Sequence, residues 1–257
     1  MIDTHAHLTR RFCDIVAVES LGELKTVVLA ASCLQDSEEN IKLAKENSRL
    51  DAATGIHPQK TDSGKKISIK EQLILLEKLV KNNRKTIVAI GETGLDYSPA
   101  LEGKEDRSKK DQNDLFRGQI EISLKYKLPL IIHARQAVDE VIEILTDYKK
   151  AKGVFHCYAG GKKRIKKVLG LGSGWYFGVD GNLTYEVGLE QVVTEIPQDR
   201  LVLETDCPFL TPIPHRGEKN KPVYVEFVYK RMAEIWGKSF EETEKIVDEN
   251  ARRLFGI

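Results

Sequence analysis

Several short polar sequence motifs, called phrases below, contain the residue types that bind divalent cations. Four of the six histidines, one glutamate and one aspartate each follow an apolar or β-branched run, and they are His5, His7, Glu92, His133, His156 and Asp206. Imidazole suits transition metals such as Zn, Fe or Ni. A carboxylate can give one oxygen to each of two cations, and two neighbouring cations can activate water. These residue types therefore indicate a two-metal hydrolase.

Eight strand-like runs precede or contain these phrases. They lie at 1–4, 26–31, 51–56, 86–91, 128–132, 153–155, 175–179 and 201–204. Continuous apolar runs of this kind are typical of strands that are buried on both faces of a parallel sheet. In a parallel barrel all strand carboxyl ends share one rim, so side chains far apart in sequence converge there.

Amphipathic helices are predicted between the strands, at 73–80, 114–126 and 137–148, and Ser239 with Glu242 forms a capping box for the last helix. Strand–helix alternation favours either a (β/α)₈ TIM barrel or a doubly wound sheet. The length of 257 residues suits one barrel of roughly 250 residues. Candidate ligands at five different strand ends favour the barrel, which belongs to the α/β class, as a single metal-dependent hydrolase domain over 1–257. The irregular stretches 59–66, 97–110 and 208–221 follow strand ends and are predicted functional loops.

The first ligand pair is His5 and His7, which lie two residues apart. Residues i and i+2 of a strand face the same side, so both rings are expected at the barrel mouth. Two surface histidines would be the ordinary alternative for this motif. Asp3 is expected to orient a histidine from behind, as metal-bound imidazoles usually require. Around Glu92, Gly91 and Gly94 leave room for a close approach of backbone or ligand.

Three further residues complete the expected chemistry. Asp206 could bind a cation and take a proton from the attacking water. Arg135 lies two residues beyond His133, and its guanidinium suits a phosphate or carboxylate. His57 follows the third strand and is expected either to touch a substrate phosphate or to be structural.

The formal net charge of +1 provides no global attraction for a polyanion. A local basic cluster is formed by Lys162, Lys163, Arg164, Lys166 and Lys167. It follows two glycines, so it indicates either an anion-binding helix start or a solvated helix face. Tyr97, Tyr158 and Tyr185 follow strand ends, where each could stack a base or simply pack.

Cysteine usage and hydropathy predict a reduced, cytoplasmic protein that is not inserted in a membrane. Cys13, Cys33, Cys157 and Cys207 show no CxxC pair, and they are expected to be small buried apolar residues. No run approaches the roughly 18 apolar residues of a membrane span, and no leader-like segment opens the chain.

Taken together, the phrases resemble the TatD-type metal-dependent deoxyribonucleases of the amidohydrolase superfamily. The sequence motifs that carry this resemblance are spread over the whole chain, at 2–8, 55–58, 91–97, 129–135, 155–158, 204–212 and 250–255. The phrases around Glu92 and Glu204 are the specific ones. Departures are confined to 8–12, where many relatives carry an aspartate after the leucine, and to the charged loop 97–110.

The resemblance implies a set of ligands and a reaction. For the first metal it implies His5, His7, Glu92 and Asp206; for the second it implies Glu92, His133 and His156. The implied reaction is hydrolysis of DNA phosphodiester bonds, mainly 3′→5′ and preferably on single strands, supported by two Mg²⁺ or Mn²⁺ ions. A histidine-rich site also favours Zn²⁺ or another transition metal in the purified protein.

Two alternatives stay open. The same metal-activated water could attack an aminoacyl ester, so a D-aminoacyl-tRNA deacylase, or another ester or amide hydrolase of the superfamily, is the nearest rival. A non-catalytic metal- or DNA-binding module is the alternative from a different class, and it predicts no turnover despite bound metal.

Overall fold

Eight parallel strands form one sheet in a computed structural model that describes residues 1–12, 21–59, 67–99 and 107–257. They follow the chain in spatial order, each pairing with the next. The strands are β1 Ile2–Ala6, β2 Thr26–Leu29, β3 Leu50–Thr54, β4 Ile87–Asp96, β5 Leu130–Arg135, β6 Gly153–Phe155, β7 Trp175–Val179 and β8 Leu201–Leu203. All eight predicted strands are therefore confirmed, with shifts of up to three residues at their ends except in β4, which extends further.

The sheet closes where the segment after β8 meets β1. The His7 N–H donates to the Cys207 carbonyl at 2.8 Å, and the Asp206 N–H donates to the His5 carbonyl at 2.9 Å. Ala6 and Cys207 form a parallel bridge between the two segments. The predicted (β/α)₈ TIM barrel is therefore confirmed, and the doubly wound alternative is excluded.

Helices connect most of the strands. They are α1 Leu34–Glu46, α2 Ile69–Asn82, α3 Lys109–Tyr126, α4 Val138–Thr146, α5 Lys162–Gly170, α6 Leu189–Val193, α7 Val225–Trp236 and α8 Phe240–Phe255. The predicted capping box opens α8, with the Glu242 N–H donating to Ser239 Oγ and the Ser239 N–H donating to the Glu242 carboxylate. Within the described ranges, no helix combines the length and apolar character needed to cross a bilayer.

One residue from every strand fills the barrel interior. This buried cluster contains Ile2, Val28, Ala53, Ala89, Ile131, Val154, Tyr176 and Val202, with Ala251, Leu254 and Phe255 of α8 packed against it. Asn250 of α8 donates through Nδ2 to the carbonyl of Leu201, the first residue of β8, at 2.8 Å. The end of α8 therefore covers the amino ends of the strands, and the opposite rim carries the polar residues.

Two register shifts interrupt the ladders beside candidate ligands. One lies between Asp3 and Ala6 in the pairing of β1 with β2, and the other lies between Ile90 and Thr93 in the pairing of β4 with β5. Such irregularities re-aim side chains at barrel rims. Strand β4 also continues to Asp96, beyond the expected end at position 91.

The glycines of β4 allow a close approach of β5. A Cβ on Gly91 would lie 2.5 Å from the Cβ of Ile131, and one on Gly94 would lie 2.0 Å from the His133 carbonyl oxygen. The room expected around Glu92 is thus taken by neighbouring backbone. Of the predicted functional loops, 60–66 and 100–106 lie outside the described residues, and so does Cys13.

Candidate metal centre

The six candidate ligands converge at the carboxyl ends of five strands. His5 lies in β1, Glu92 in β4 and His133 in β5, while His7 and His156 directly follow β1 and β6, and Asp206 lies in the segment after β8. His5, His7, Glu92 and His156 are buried. Burying so many polar groups is costly unless they are paired or bind a cation.

Glu92 lies at the centre of the cluster and presents its two oxygens in different directions. Its Oε1 lies 2.7 Å from His133 Nδ1 and 2.9 Å from His156 Nε2. Its Oε2 lies 3.5 Å from His7 Nε2 and 4.0 Å from His5 Nε2. The carboxylate thus divides the cluster into two parts, each with its own pair of histidines.

The part on the Oε2 side, which we name the β1 half, consists of His5, His7 and Asp206. His5 Nε2 and His7 Nε2 are 3.2 Å apart. Asp206 Oδ1 lies 3.4 Å from His5 Nε2 and 3.5 Å from His7 Nε2. With Glu92 Oε2, this half brings together two nitrogen and two oxygen donors.

The part on the Oε1 side, which we name the β5 half, consists of His133 and His156. His133 Nδ1 and His156 Nε2 are 3.2 Å apart. Ligand atoms that share one zinc ion with bonds of about 2.0–2.1 Å lie about 3–3.4 Å from one another. The donor atoms in both halves have spacings close to these, so the residues present fit divalent cations.

A carboxylate stands behind each ring of the β5 half. Asp96 Oδ2 lies 3.0 Å from His133 Nε2, on the side of the ring away from Glu92. Glu204 Oε1 lies 3.5 Å from His156 Nδ1 and also accepts the Cys157 N–H. Such partners fix the orientation and tautomer of a metal-bound imidazole. Sequence reasoning gave Asp96 and Glu204 no role, although both lie in the phrases that it singled out.

Comparison with known proteins agrees with this geometry. The model of the family described as TatD related DNase matches residues 2–256. A Bacillus subtilis protein named as an uncharacterized metal-dependent hydrolase, YabD, is 35% identical over 267 residues, which cover 100% of this chain and 99% of that protein. The chain belongs to the TatD family of metal-dependent hydrolases.

Two further relatives lie in Escherichia coli. The metal-dependent hydrolase YcfH of strain K12 is 29% identical to the TatD-family chain, and the match covers 100% of this chain and 96% of YcfH. The crystal structure of YJJV, a TatD homolog, superposes with a TM-score of 0.85 at 24% identity, covering 100% of this chain and 98% of that one. The TatD fold of the chain is therefore shared over its full length.

Asp3 does not contact a histidine ring in this TatD-family barrel. Its Oδ1 accepts the N–H of His5 at 3.2 Å and of Thr205 at 2.9 Å, and its Oδ2 accepts the Thr205 hydroxyl at 2.6 Å. The expected ring contact is thus replaced by contacts to the main chain, because the Asp3 carboxylate faces the strand that closes the barrel. Burial raises the pKa of Asp3 to about 8.

Burial and neighbouring charges shift the pKa values of Glu92 and His156 in opposite directions. Burial would raise the pKa of Glu92, but the surrounding His57, His156 and His133 hold it well below its ordinary value. Burial would lower the pKa of His156, but the carboxylates of Glu92 and Glu204 hold it well above its ordinary value. For His5, burial and the neighbouring His156 lower the pKa well below its usual range. The β1 half thus contains a histidine that is readily available as a neutral ligand.

The two predicted substrate-binding residues lie beside the β5 half. His57 Nε2 is 3.6 Å from Glu92 Oε1, and its Nδ1 accepts the Gln59 N–H at 3.0 Å. Burial lowers the pKa of His57 to about 3, so the ring is neutral at pH 7 and carries its proton on Nε2. Arg135 ends β5 with an exposed side chain. Both residues therefore lie at the rim of the barrel.

Much of the basic cluster on α5 is already ion-paired. Lys162 pairs with Glu195, while Arg164 and Lys167 both pair with Asp139. These contacts favour the solvated-face interpretation for the paired residues.

Two of the three tyrosines singled out in the sequence, Tyr97 and Tyr185, interact with other side chains of the protein. The Tyr97 hydroxyl donates to Glu140 at 2.6 Å, and Arg216 lies 3.7 Å from the centre of the Tyr185 ring. Tyr158 is buried. Of the cysteines described, Cys33 and Cys207 are buried as expected, and Cys157 is partly buried.

Proposed function

We propose that this TatD-family hydrolase is a deoxyribonuclease that removes nucleotides from the 3′ end of DNA, preferably of single strands. The observation that carries the proposal is the position of the Glu92 carboxylate between the two halves, because its two oxygens face two separate sets of donor atoms. This is the arrangement that a carboxylate shared by two cations requires. The proposal treats residues 1–257 as one catalytic domain and places it in the cytoplasm.

The residues that would hold the two cations follow from the two halves. The first cation would bind His5, His7, Asp206 and Glu92 Oε2; the second would bind His133, His156 and Glu92 Oε1. Bound there, such a pair supplies an activated water and stabilises negative charge on the leaving oxygen. Mg²⁺ or Mn²⁺ is proposed for activity, and the five-nitrogen environment that includes His57 also favours Zn²⁺ in the purified protein.

The chain's own residues account for positioning and proton transfer. Asp206 lies at the rim with 14% of its side chain exposed, so its carboxylate can accept a proton from the attacking water. His57 can donate from Nε2 to a phosphate oxygen. Arg135 can pair with a phosphate of the same strand.

The proposal is tested by digestion of a 5′-labelled single-stranded oligonucleotide with metal-stripped protein, after adding back Mg²⁺, Mn²⁺ or Zn²⁺. We expect a metal-dependent ladder that shortens from the 3′ end, and no ladder from Asp206→Asn. Asp199→Asn is the matched control, because Asp199 is exposed and pairs with Arg200 away from the site.

The result that contradicts the proposal is equal digestion by folded Asp206→Asn and by the parent. An oligonucleotide with a blocked 3′ end tests the polarity separately. If no metal supports digestion, a D-aminoacyl-tRNA becomes the substrate to assay, because the same activated water could attack its ester.

A further inference from the structure

A cavity of about 280 Å³ lies beside the β5 half, on the same rim. It opens between the loop after β6 and the segment that joins β7 to α6, and its lining includes Cys157, Tyr158, Asp180, Asn182, Glu186 and Leu189. Cys157 directly follows the candidate ligand His156. One wall of the cavity is therefore continuous with the metal centre.

The acidic lining of the cavity disfavours a phosphate. Asp180 and Glu186 contribute carboxylates, and among the described residues of the lining there is no lysine or arginine. A phosphate in this space would meet the two acidic side chains and no basic one from the described lining, which disfavours its binding. The occupant must therefore be a neutral or cationic part of the substrate.

The remaining surface of the cavity is largely apolar. Val179, Leu189 and Val192 contribute aliphatic side chains, and the Tyr158 ring packs edge-on against Phe177 with the ring centres 4.8 Å apart. Val187 at the mouth is fully exposed. An apolar wall with a few acceptors at one end is typical of a small-molecule pocket, and the volume is near the lower end of the roughly 300–1,000 Å³ range.

We propose that this cavity receives the base and sugar of the 3′-terminal nucleoside, while its phosphate lies on the metal centre. A base offers a flat ring for the aliphatic wall and N–H groups for the carboxylates of Asp180 and Glu186. The inference rests on the proposed phosphodiester hydrolysis. It adds that the enzyme recognises the nucleoside that leaves with the scissile phosphate.

The test compares two esters that share a leaving group. Thymidine or deoxyadenosine 5′-monophosphate p-nitrophenyl ester carries the nucleoside, and methyl p-nitrophenyl phosphate does not. In both, water adds to phosphorus, the bond to the nitrophenyl oxygen breaks and p-nitrophenolate leaves. We expect kcat/KM to be about tenfold higher for the nucleoside esters, which corresponds to about 1.4 kcal/mol and is within the range of a contact that stacks a base.

Two variants separate the cavity from the metal centre. Ala159 is exposed and lines the cavity, so Ala159→Phe should fill the space and abolish the preference, with methyl ester hydrolysis unchanged. Glu186→Gln should reduce the preference, whereas Glu190→Gln should not, because Glu190 pairs with Arg231 outside the cavity. A parent without the preference, or an Ala159→Phe variant that keeps it, would overturn the inference.

A binding measurement distinguishes failure of this inference from failure of the proposed reaction. Deoxyadenosine carries no phosphate, and its binding to the full chain can be followed by calorimetry even if neither ester is hydrolysed. Binding that Ala159→Phe removes would support the cavity. If the parent does not bind deoxyadenosine, or binds D-tyrosine methyl ester instead of deoxyadenosine, the inference about the cavity is wrong.

Discussion

The two halves of the metal centre are held in place in different ways. In the β1 half both histidines come from one strand end, and Asp3 fixes the main chain by accepting the N–H groups of His5 and Thr205. In the β5 half each histidine comes from a different strand, and Asp96 and Glu204 stand behind the rings. Backbone spacing positions one pair, while carboxylates orient the other. The β5 half should therefore be the more sensitive to changes outside the ligands.

The largest effect is expected from Glu92→Gln, because Glu92 is the residue that both halves share. The substitution keeps the shape and removes the charge that would bridge two cations. We expect a loss of activity on p-nitrophenyl phosphodiesters beyond the roughly 10–100-fold effect typical of an outer partner. Mass-spectrometric metal analysis should show fewer than two ions per chain.

The control for this substitution is Glu46→Gln, at an exposed position at the end of α1. A folded Glu92→Gln protein that retains both ions and full activity would show that the carboxylate does not bridge the halves.

A smaller and one-sided effect is expected from Asp96→Asn and from Glu204→Gln. Each removes a carboxylate that orients a ring of the β5 half, so metal affinity should fall about 10–100-fold at that half alone. Chelator-competition titration with Zn²⁺ should show one weakened binding step and one unchanged step.

Asp114→Asn is the matched control, since Asp114 is exposed and pairs with Lys110 one helical turn away in α3. Equal weakening of both steps by Asp96→Asn or Glu204→Gln would remove the distinction between the halves.

This distinction explains which part of the site could be read from the sequence. The eight strands and the placement of ligands at their ends were predictable, because apolar runs and the polar residues after them are local signals. The register shifts that re-aim His5 and Glu92 were not, since they depend on the pairing of neighbouring strands.

Strand β4 shows the same limit most clearly. Its glycine-rich and polar second part has the composition of a loop, but Thr93, Gly94, Leu95 and Asp96 pair with β5. This extension brings Asp96 to His133. A contact made through the tertiary register leaves no signal in a single sequence, so the role of Asp96 could not be predicted.

Lowering the pH should release metal from the two halves one after the other. In the β5 half, despite burial, neighbouring carboxylates raise the pKa of both histidines, and that of His156 lies well above its ordinary value. In the β1 half, Asp206 and Glu92 raise the pKa of His7 despite burial, whereas burial lowers that of His5 well below its usual range. A histidine must lose its proton to bind metal, so proton competition begins at higher pH where the pKa is raised. We expect metal content, measured after dialysis at stepwise lower pH, to fall first at the β5 half.

The order is assigned with His156→Ala, which should lack the step at higher pH and keep the step at lower pH. If His156→Ala instead removes the step at lower pH, the β1 half is the more acid-sensitive one and the comparison is reversed.

The smallest effect on the site is expected from Tyr229→Phe, at the opposite end of β1. The buried Tyr229 hydroxyl lies 2.8 Å from Asp248 Oδ1 and accepts the Ile2 N–H at 3.2 Å. Losing it leaves these buried groups without that partner, so the free energy of unfolding in urea should fall by about 1–3 kcal/mol. Tyr126→Phe, which removes a hydroxyl bonded to the partly exposed Glu77, should cost less.

Both zinc-binding steps should remain unchanged in Tyr229→Phe, because the carboxyl end of β1 is fixed separately by Asp3. If Tyr229→Phe weakens zinc binding at the β1 half, β1 acts as one rigid support from its amino end, at the floor of the barrel, to its carboxyl end at the rim. The spacing of His5 and His7 would then depend on packing at the floor of the barrel as well as on the contacts at its rim.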